Sequence, residues 1–266
     1  MDKQPIICFG QQPCGFFPKR FLAAKISTAR QLQQKLGGKI VFFYHDSDAD
    51  YRETITIMRD KASGAEVRLN FTQENKLQKK FSPLYAKKIP AGWKEEILKQ
   101  LPRFLPPSPP GVGGKSLMDI FKSTNTIFVA DFCLEMYSKM GLLDGIMVLR
   151  SSDKKFREQA TDLAEDYFAD VEYQGEMVRA QLLNGKLQLH EGGGKYFTLP
   201  DQRIEKWQKS PGRDQRMKWM QSVINCTHYI HGEGESDYLR FDDFPEVKFI
   251  QREKIDQPDY AYIPDP

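Results

Sequence analysis

Two apolar runs near the N-terminus, separated by a helical segment, constrain the fold of this chain more than any other feature. Residues 6–9 (Ile-Ile-Cys-Phe) have the character of a buried strand, and residues 39–44 (Lys-Ile-Val-Phe-Phe-Tyr) are apolar almost throughout. Between them, residues 18–36 place apolar side chains at helical spacing and end at two glycines. Strands that are apolar on both faces are typical of a parallel sheet covered by helices. The N-terminal region therefore predicts a strand–helix–strand unit, with Gly10 ending the first strand.

The remaining segments extend this pattern along the chain. Strands are predicted at residues 145–150, 226–230 and 247–251, and helices at residues 93–101, 117–140, 153–169 and 213–225. A hairpin is predicted from residues 54–58 and 65–71, and a small β excursion at residues 175–199. With right-handed crossovers, this order predicts an α/β fold: a doubly wound, Rossmann-like parallel sheet with an inserted α+β subdomain.

The predicted elements divide the chain into core segments, two insertions and a tail. These are residues 1–60 (first half of the core), 61–116 (insertion and Pro/Gly linker), 117–170 (core continued), 171–209 (small β insertion), 210–255 (end of the core) and 256–266 (tail). Residues 113–116 (Gly-Gly-Lys-Ser) resemble the end of a phosphate-binding loop, but Pro109 stands where that motif needs its first glycine. We interpret this segment as a linker.

Composition excludes several classes of protein. The 266 residues are 40% hydrophobic and 28% charged, as in a folded globular protein, and the net charge is only +3 with the basic residues dispersed. No apolar run approaches the ~18 residues that span a bilayer, and no signal-peptide segment is present. Four cysteines without CxxC spacing predict neither a zinc site nor disulfides. We expect a cytoplasmic protein without a nucleic-acid or membrane partner, and its oligomeric state stays open.

Polar clusters follow three of the predicted strands, where each strand ends. Gln11 and Gln12 follow the first strand, His45 begins an acidic cluster after the second, and Glu235 closes a Gly-Glu-Gly-Glu segment after the strand at 226–230. Because the carboxyl ends of parallel strands meet at one edge, these clusters predict one binding site for a small molecule. A helix beginning near Pro18 would also direct backbone N–H groups toward an anion.

Metal binding is not predicted at these clusters. Asp46, Asp48 and Asp50 alternate, but the glycine and the distal glutamate of a calcium loop are missing. His228 and His231 straddle a strand end at a spacing that directs them to opposite faces. The glycines beside Glu235 instead allow a ligand to approach the backbone closely.

The order of these motifs resembles the cysteine-adding enzyme family of bacillithiol biosynthesis, over most of residues 5–250. The matching positions are Gly10-Gln11-Gln12 for a Gly-Gln-Gln turn, Lys25 for a helical lysine, Asp48-Ala49-Asp50 for an Asp-His-Asp tract, Ser151 and Asp153 for a Ser-Gly-Asp segment, Ser210 and Arg216 before a helix, and Gly232, Gly234, Glu235 and Tyr238 for a Gly-x-Gly-Glu-x-x-Tyr motif. Ala49 replaces the family's histidine, although His45 is near it in the sequence. The family's N-terminal segment and C-terminal coiled coil are absent, so we expect a shortened, divergent member that does not dimerise through that coil.

The resemblance implies a core related to nucleotidylyltransferases and class I tRNA synthetases, and a ligase that joins a cysteine-like amino acid to the amine of a small sugar-type acceptor. It also implies a nucleotide, such as ATP or ADP, as cofactor. In this interpretation Gln11 and Gln12 hold an anionic group, and Lys25 and Arg216 supply positive charge. A carboxylate, from Asp48, Asp50 or Glu235, orients an ammonium or acts as general base.

Two other interpretations remain open on the sequence. One is a non-catalytic nucleotide- or metabolite-binding protein that lost catalysis with the histidine at position 49. The other is a nucleic-acid-binding module, favoured only by the lysines of the first insertion, Lys76, Lys79, Lys80, Lys87 and Lys88. If Gln11 and Glu235 share a ligand at a sheet edge, we expect neither to be needed for folding.

Overall fold

The computed structural model describes residues 4–105 and 116–264. The strands are β1 (Ile6–Gln11), β2 (Lys39–Tyr44), β3 (Thr56–Arg59), β4 (Glu66–Leu69), β5 (Ile146–Arg150), β6 (Tyr167–Tyr173), β7 (Glu176–Leu183), β8 (Lys186–Gly192), β9 (Lys195–Thr198), β10 (Lys209–Pro211), β11 (His228–His231) and β12 (Lys248–Gln251). The α-helices are α1 (Arg20–Leu36), α2 (Lys76–Lys80), α3 (Trp93–Gln100), α4 (Leu117–Ser123), α5 (Val129–Lys139), α6 (Lys154–Gln159) and α7 (Arg216–Ile224). Within these ranges, no helix has the length and apolar character that crossing a bilayer requires.

Five parallel strands form the central sheet, in the order β12-β11-β1-β2-β5. Side chains alternate between its faces, so Phe9 and Phe42 pack with α1 and α5 on one face. Cys8 and Phe43 pack with α6 and α7 on the other. Burial on both faces explains why these strands are continuously apolar, and it confirms the α/β class predicted from them.

A second sheet is antiparallel, in the order β10-β6-β7-β8-β9. The predicted β excursion at 175–199 corresponds to β7, β8 and β9, and the predicted hairpin corresponds to β3 and β4. The sheet is larger than expected because β6 and β10 extend it, and the predicted borders at 170/171 and 209/210 fall inside these two strands. The linker predicted up to residue 115 lies outside the described residues, and Ser116 is the N-cap of α4.

Four predicted elements differ from the structure. Strand β1 does not end at Gly10, which pairs with Phe43 of β2, but continues to Gln11. The strand predicted as buried at 145–150 is the edge strand β5, where Met147 is 48% exposed. The helix predicted at 117–140 is interrupted after Ser123, where Thr124 is extended and its hydroxyl donates to the Ile120 carbonyl at 2.9 Å. The helix predicted at 153–169 ends at Gln159, because the following residues lead into β6.

A buried ionic network joins the antiparallel sheet to the carboxyl edge of the parallel sheet. Asp170 on β6 and Arg157 on α6 are 1% and 2% exposed, and an Arg157 nitrogen donates to an Asp170 oxygen at 2.7 Å. Arg157 also donates to the Ser47 hydroxyl and to the Ser151 carbonyl, each at 2.7 Å. Arg179 of β7 approaches the other Asp170 oxygen at 3.5 Å. This network fixes the loops after β2 and β5, which border the candidate site.

Candidate functional site

A cleft of about 1210 Å³ opens at the carboxyl ends of β1 and β11. From β1 the chain passes through α1 to β2, which pairs with one side of β1. Strand β11 pairs with the other side of β1, and the helix before β11, α7, packs on the opposite face of the sheet from α1. The strand order therefore reverses beside β1, and open α/β sheets bind ligands in the crevice that such a reversal leaves. Ten of the predicted site residues line the cleft: Gly10, Gln11, Gln12, Lys25, His45, Arg216, Gly232, Gly234, Glu235 and Tyr238.

The side chain of Lys25 lies at the centre of the cleft floor. Its ammonium donates to the Gly10 carbonyl at 2.8 Å and to the Gln11 side-chain oxygen at 3.3 Å, and it forms an ion pair with Glu235. Glu235 also accepts from the Gly232 amide at 2.7 Å and from the Tyr229 hydroxyl at 3.3 Å. The structure thus brings Gln11 and Glu235 to one ammonium group, but that group is the side chain of Lys25 and not part of a ligand. Glu235 is therefore engaged by three donors of the protein, Lys25, the Gly232 amide and Tyr229.

His45 faces the same cleft as an imidazole without a hydrogen-bond partner among the described residues. It is 8% exposed, and its ring packs edge-on against Phe43 at 4.5 Å between ring centroids. Burial lowers the pKa of His45 well below its ordinary value, and the charges of Arg216, Lys25 and Arg179 lower it further. At neutral pH His45 is therefore a neutral ring that can accept a proton or a hydrogen bond from a ligand.

We expect His45 to make the protein less stable in acid. Because the folded state resists protonation of this ring, the unfolded state binds more protons below about pH 6.5, and the free energy of unfolding decreases as pH falls. The contribution has a limiting slope of about 1.4 kcal/mol per pH unit. Urea denaturation at several pH values should show a smaller loss below pH 6.5 for His45→Gln than for the unchanged protein. Equal losses in both proteins would contradict the assignment.

The lack of a side chain at Gly10 is what lets His45 reach the cleft floor. A Cβ at this position would lie 2.9 Å from the His45 Nε2 atom and 2.9 Å from the Tyr229 hydroxyl. We therefore expect Gly10→Ala to lower the free energy of unfolding by about 1–3 kcal/mol, the usual cost of overpacking. The matched control is Gly234→Ala, whose Cβ would meet nothing within 4 Å. Similar urea midpoints for the two variants would contradict this interpretation.

Asp48 does not line the cleft itself but contacts two residues that do, Gln12 and Arg216. It accepts from the Gln12 amide at 3.2 Å, and an Arg216 nitrogen lies 3.6 Å from the same Asp48 oxygen. Burial opposes the ionisation of Asp48, but the charges of Arg216 and Arg179 and hydrogen bonds from the backbone amide of Asp50 and from Gln12 hold its pKa below the usual value. Asp48 is consequently an ionised carboxylate that orients Gln12 and Arg216 rather than a base.

The N-terminus of α1 does not offer its amides to a ligand, contrary to the expectation from the strand–turn–helix pattern. The C-terminal tail crosses it: the amides of Arg20 and Phe21 donate to the carbonyls of Tyr260 and Pro258 at 2.8 and 3.1 Å. These are two of the N–H groups that a helix start leaves free. These two amides are therefore not available to an anion in the cleft.

Four predicted site residues have partners elsewhere. Asp50 forms a surface ion pair with Arg52 at 2.6 Å, and Asp153 caps α6 through the amides of residues 155 and 156. Ser151 is buried and bonds to Ser47 and Asp46. Ser210 is buried and accepts from Arg179. The structure gives each of these residues a structural contact and does not bring its functional group into the cleft.

The lysines that favoured the interpretation as a nucleic-acid-binding module do not form a free basic surface. Lys76 and Lys88 pair with Glu191 and Glu176, at 2.8 and 3.1 Å. Lys87 is 2% exposed and donates to two backbone carbonyls of α2, and its burial lowers its pKa to about 7.

Several residues that were not predicted from the sequence also line the cleft, among them Tyr229, Arg252 and Arg213. Tyr229 lies on β11 and contacts Glu235, and Arg252 directly follows β12. The strand at 247–251 was predicted, so the rule that strand ends carry ligand-binding residues would have identified Arg252. Tyr229 gave no such signal, because it lies inside β11 rather than at its end and is itself buried.

No protein-family model matches this chain, and a search of the curated proteins finds no match. Among residues 4–105 and 116–264, no group of three or more His, Cys, Asp or Glu side chains could hold a metal ion. The function has to be argued from the cleft itself.

Proposed function

We propose that this protein is a ligase-like enzyme that joins a cysteine-like amino acid to the amine of a small sugar-type acceptor, as its resemblance to the bacillithiol cysteine-adding family implies. In this proposal the parallel sheet is a doubly wound, Rossmann-like core of the nucleotidylyltransferase type. The observation that carries the proposal is that one cleft combines a fixed ammonium, Lys25, with a neutral, unpartnered imidazole, His45.

Two arginines on one side of the cleft fit an anionic substrate group. Arg213 and Arg216 lie on the α7 side, and the Arg213 guanidinium packs over the Tyr238 ring at 5.5 Å from the ring centroid. Arginine side chains bind carboxylate and phosphate oxygens through paired N–H groups. A nucleoside triphosphate would be bound along this side and would supply the activation of the amino-acid carboxylate. Its phosphates would contact the arginines, since the tail covers the α1 amides.

In the proposed reaction, different residues of the cleft have different roles in forming the C–N bond. The neutral amine of the acceptor attacks the carbonyl carbon, the new C–N bond forms, and the leaving group departs with the electrons of the broken bond. The amine must then lose a proton, and in this proposal His45 accepts it once an anionic substrate offsets the charges of Arg216, Lys25 and Arg179 that lower the pKa of the free ring. The Gln11 side-chain N–H would donate to the carbonyl oxygen, where negative charge develops, and Lys25 orients that amide by donating to its oxygen. The Lys25–Glu235 pair holds this ammonium in place.

A ligation assay tests the proposal. The protein is incubated with ATP, L-cysteine and glucosamine, and mass spectrometry follows the amide product while chromatography follows ATP consumption. We expect product with the unchanged protein and a rate lower by about 10²-fold or more in His45→Gln, the usual contribution of a general base. Full activity of His45→Gln, or absence of product across a panel of amino acids and amino sugars, would contradict the proposal.

The second candidate is a non-catalytic nucleotide- or metabolite-binding protein, and it is favoured by Ala49, which stands where the family has a histidine. The same assay separates the two. Ligand-induced stabilisation without ATP consumption or product identifies a binding protein.

A further inference from the structure

Glu53 is a half-buried carboxylate that lines the cleft, on the loop between β2 and β3. Among the residues that the structure describes, no group donates a hydrogen bond to its carboxylate, and no Lys or Arg forms an ion pair with it. Neither carboxylate oxygen is sealed from solvent. The cleft, of about 1210 Å³, exceeds the ~300–1,000 Å³ of typical small-molecule pockets. A ligand can therefore reach this carboxylate from the cleft.

The backbone that carries Glu53 is held in place by hydrogen bonds on both sides of the residue. Its amide donates to the Asp50 carbonyl at 3.2 Å. The next residue, Thr54, is 1% exposed, and its hydroxyl donates to the Asn70 side-chain oxygen at 2.7 Å. The Asn70 amide in turn donates to the Tyr51 carbonyl at 3.0 Å. The loop thus presents the Glu53 carboxylate at a fixed position, so a ligand does not have to order the backbone in order to bind.

The other carboxylates that line the cleft are either paired or exposed. Glu235 is half-buried like Glu53, but it forms an ion pair with Lys25. The remaining ones are exposed: Asp214, Glu233, Asp243, Glu246 and Asp259. Ion pairs at exposed positions contribute little because water competes for the charges. Among the described residues, Glu53 is therefore the cleft carboxylate that is both shielded from bulk water and unpaired.

The charges around Glu53 favour the binding of a further cation. Burial raises the pKa of Glu53 above its ordinary value. The charges of Asp48 and Asp50 also raise this pKa, whereas those of Lys19 and Arg216 lower it. The net direction shows that the protein's own cations do not fully offset the cost of ionising this carboxylate. A positively charged ligand group beside Glu53 would supply the missing compensation.

We propose that Glu53 binds the primary ammonium group of a ligand in the cleft. A carboxylate and an ammonium form charge-assisted hydrogen bonds, which are stronger than those between neutral groups. The acceptor amine must be neutral when it attacks, so in the proposed reaction the ammonium beside Glu53 is that of the amino acid. The inference rests on the proposed function for this assignment, but not for the presence of an ammonium site. Binding measurements distinguish the amino acid from the amino sugar as its source.

Two matched ligand pairs test the ammonium site by isothermal titration calorimetry, in the presence of a non-hydrolysable ATP analogue. L-Cysteine is compared with 3-mercaptopropionate, and glucosamine with glucose, because the second member of each pair lacks the amine. We expect L-cysteine to bind more tightly than 3-mercaptopropionate to the unchanged protein. Glu53→Gln should weaken the binding of L-cysteine about 10- to 100-fold and leave that of 3-mercaptopropionate unaffected. Glu172→Gln, at an exposed glutamate outside the cleft, is the control.

Stability measurements keep the test informative. Glu53→Gln should unfold at the same or a higher urea concentration than the unchanged protein, because burial disfavours the charge that it removes. If that variant does not fold, Glu53→Ala gives the same comparison. A Glu53-dependent preference in the glucosamine pair alone would support the ammonium site and assign it to the acceptor.

Three results would overturn the inference: equal binding of both amines by the folded variants and the unchanged protein, no preference for the amine in either pair, or equal weakening of both members of a pair. Glu53-dependent binding of L-cysteine without ligation would instead refute only the proposed function. Ligation by Glu53→Gln with an unchanged KM for both substrates would refute only this inference.

Discussion

Replacing Asp170 with alanine is expected to lower the free energy of unfolding by about 3–5 kcal/mol, the largest effect that we predict for a single residue. Asp170 is 1% exposed and is the carboxylate partner of both Arg157 and Arg179. Without it, two buried guanidiniums lose their counter-charge while remaining out of water. Urea denaturation followed by circular dichroism measures the loss.

The control for this prediction lies on the same strand. Glu172 is exposed, and Glu172→Ala should change the free energy of unfolding by less than about 0.5 kcal/mol. A loss below about 1 kcal/mol for Asp170→Ala would show that the network does not hold the two sheets together. The positions of Ser47 and Ser151 would then need another explanation.

Replacing Glu235 with glutamine is expected to cost on the order of 3 kcal/mol, which revises the expectation that this residue is not needed for folding. The Lys25 side chain is 2% exposed and Glu235 is its ion-pair partner, so the substitution leaves a buried ammonium without a counter-charge. The Lys25→Met, Glu235→Gln double variant should be more stable than the sum of the single losses predicts, because no buried charge remains unpaired. Urea denaturation of the unchanged protein, Lys25→Met, Glu235→Gln and the double variant gives the coupling free energy between the two side chains.

Glu233→Gln provides the matched control, since Glu233 is exposed two residues earlier in the same loop. It should be nearly neutral for stability. Gln11→Ala should likewise leave the unfolding temperature almost unchanged, because the Gln11 side chain makes two long hydrogen bonds, accepting from Lys25 at 3.3 Å and donating to the Gln12 side-chain oxygen at 3.4 Å. If the losses in the free energy of unfolding of Lys25→Met and Glu235→Gln simply add in the double variant, this would contradict a buried ion pair between the two side chains.

The sequence predicted the sheet edge well, because that part of the fold is encoded locally. Apolar strands followed by polar residues located Gln11, His45 and Glu235, and parallel pairing brings these positions to one edge. Sequence patterns could not predict the hydrogen-bond or ion-pair partner of each of these side chains. Glu235 was expected to bind a ligand's ammonium, but Lys25, 210 residues earlier, occupies that position.

The errors in helix prediction have two different causes. Residues 123–126 (Ser-Thr-Asn-Thr) interrupt the helix predicted at 117–140, and their side chains compete with helical hydrogen bonds, so the signal was present in the sequence. Residues 160–166 have helix-forming residues, yet the chain there leads into β6. Tertiary structure overrides local propensity in such a segment. The tail that covers the α1 amides is similarly a long-range contact.

The most direct test of this account is a crystal structure of the protein with L-cysteine, ATP and an amino sugar. We predict ligand density in the cleft between the carboxyl ends of β1 and β11, in contact with His45. Density at another surface, with the cleft empty under conditions where binding is saturated, would contradict the assignment of this cleft as the functional site.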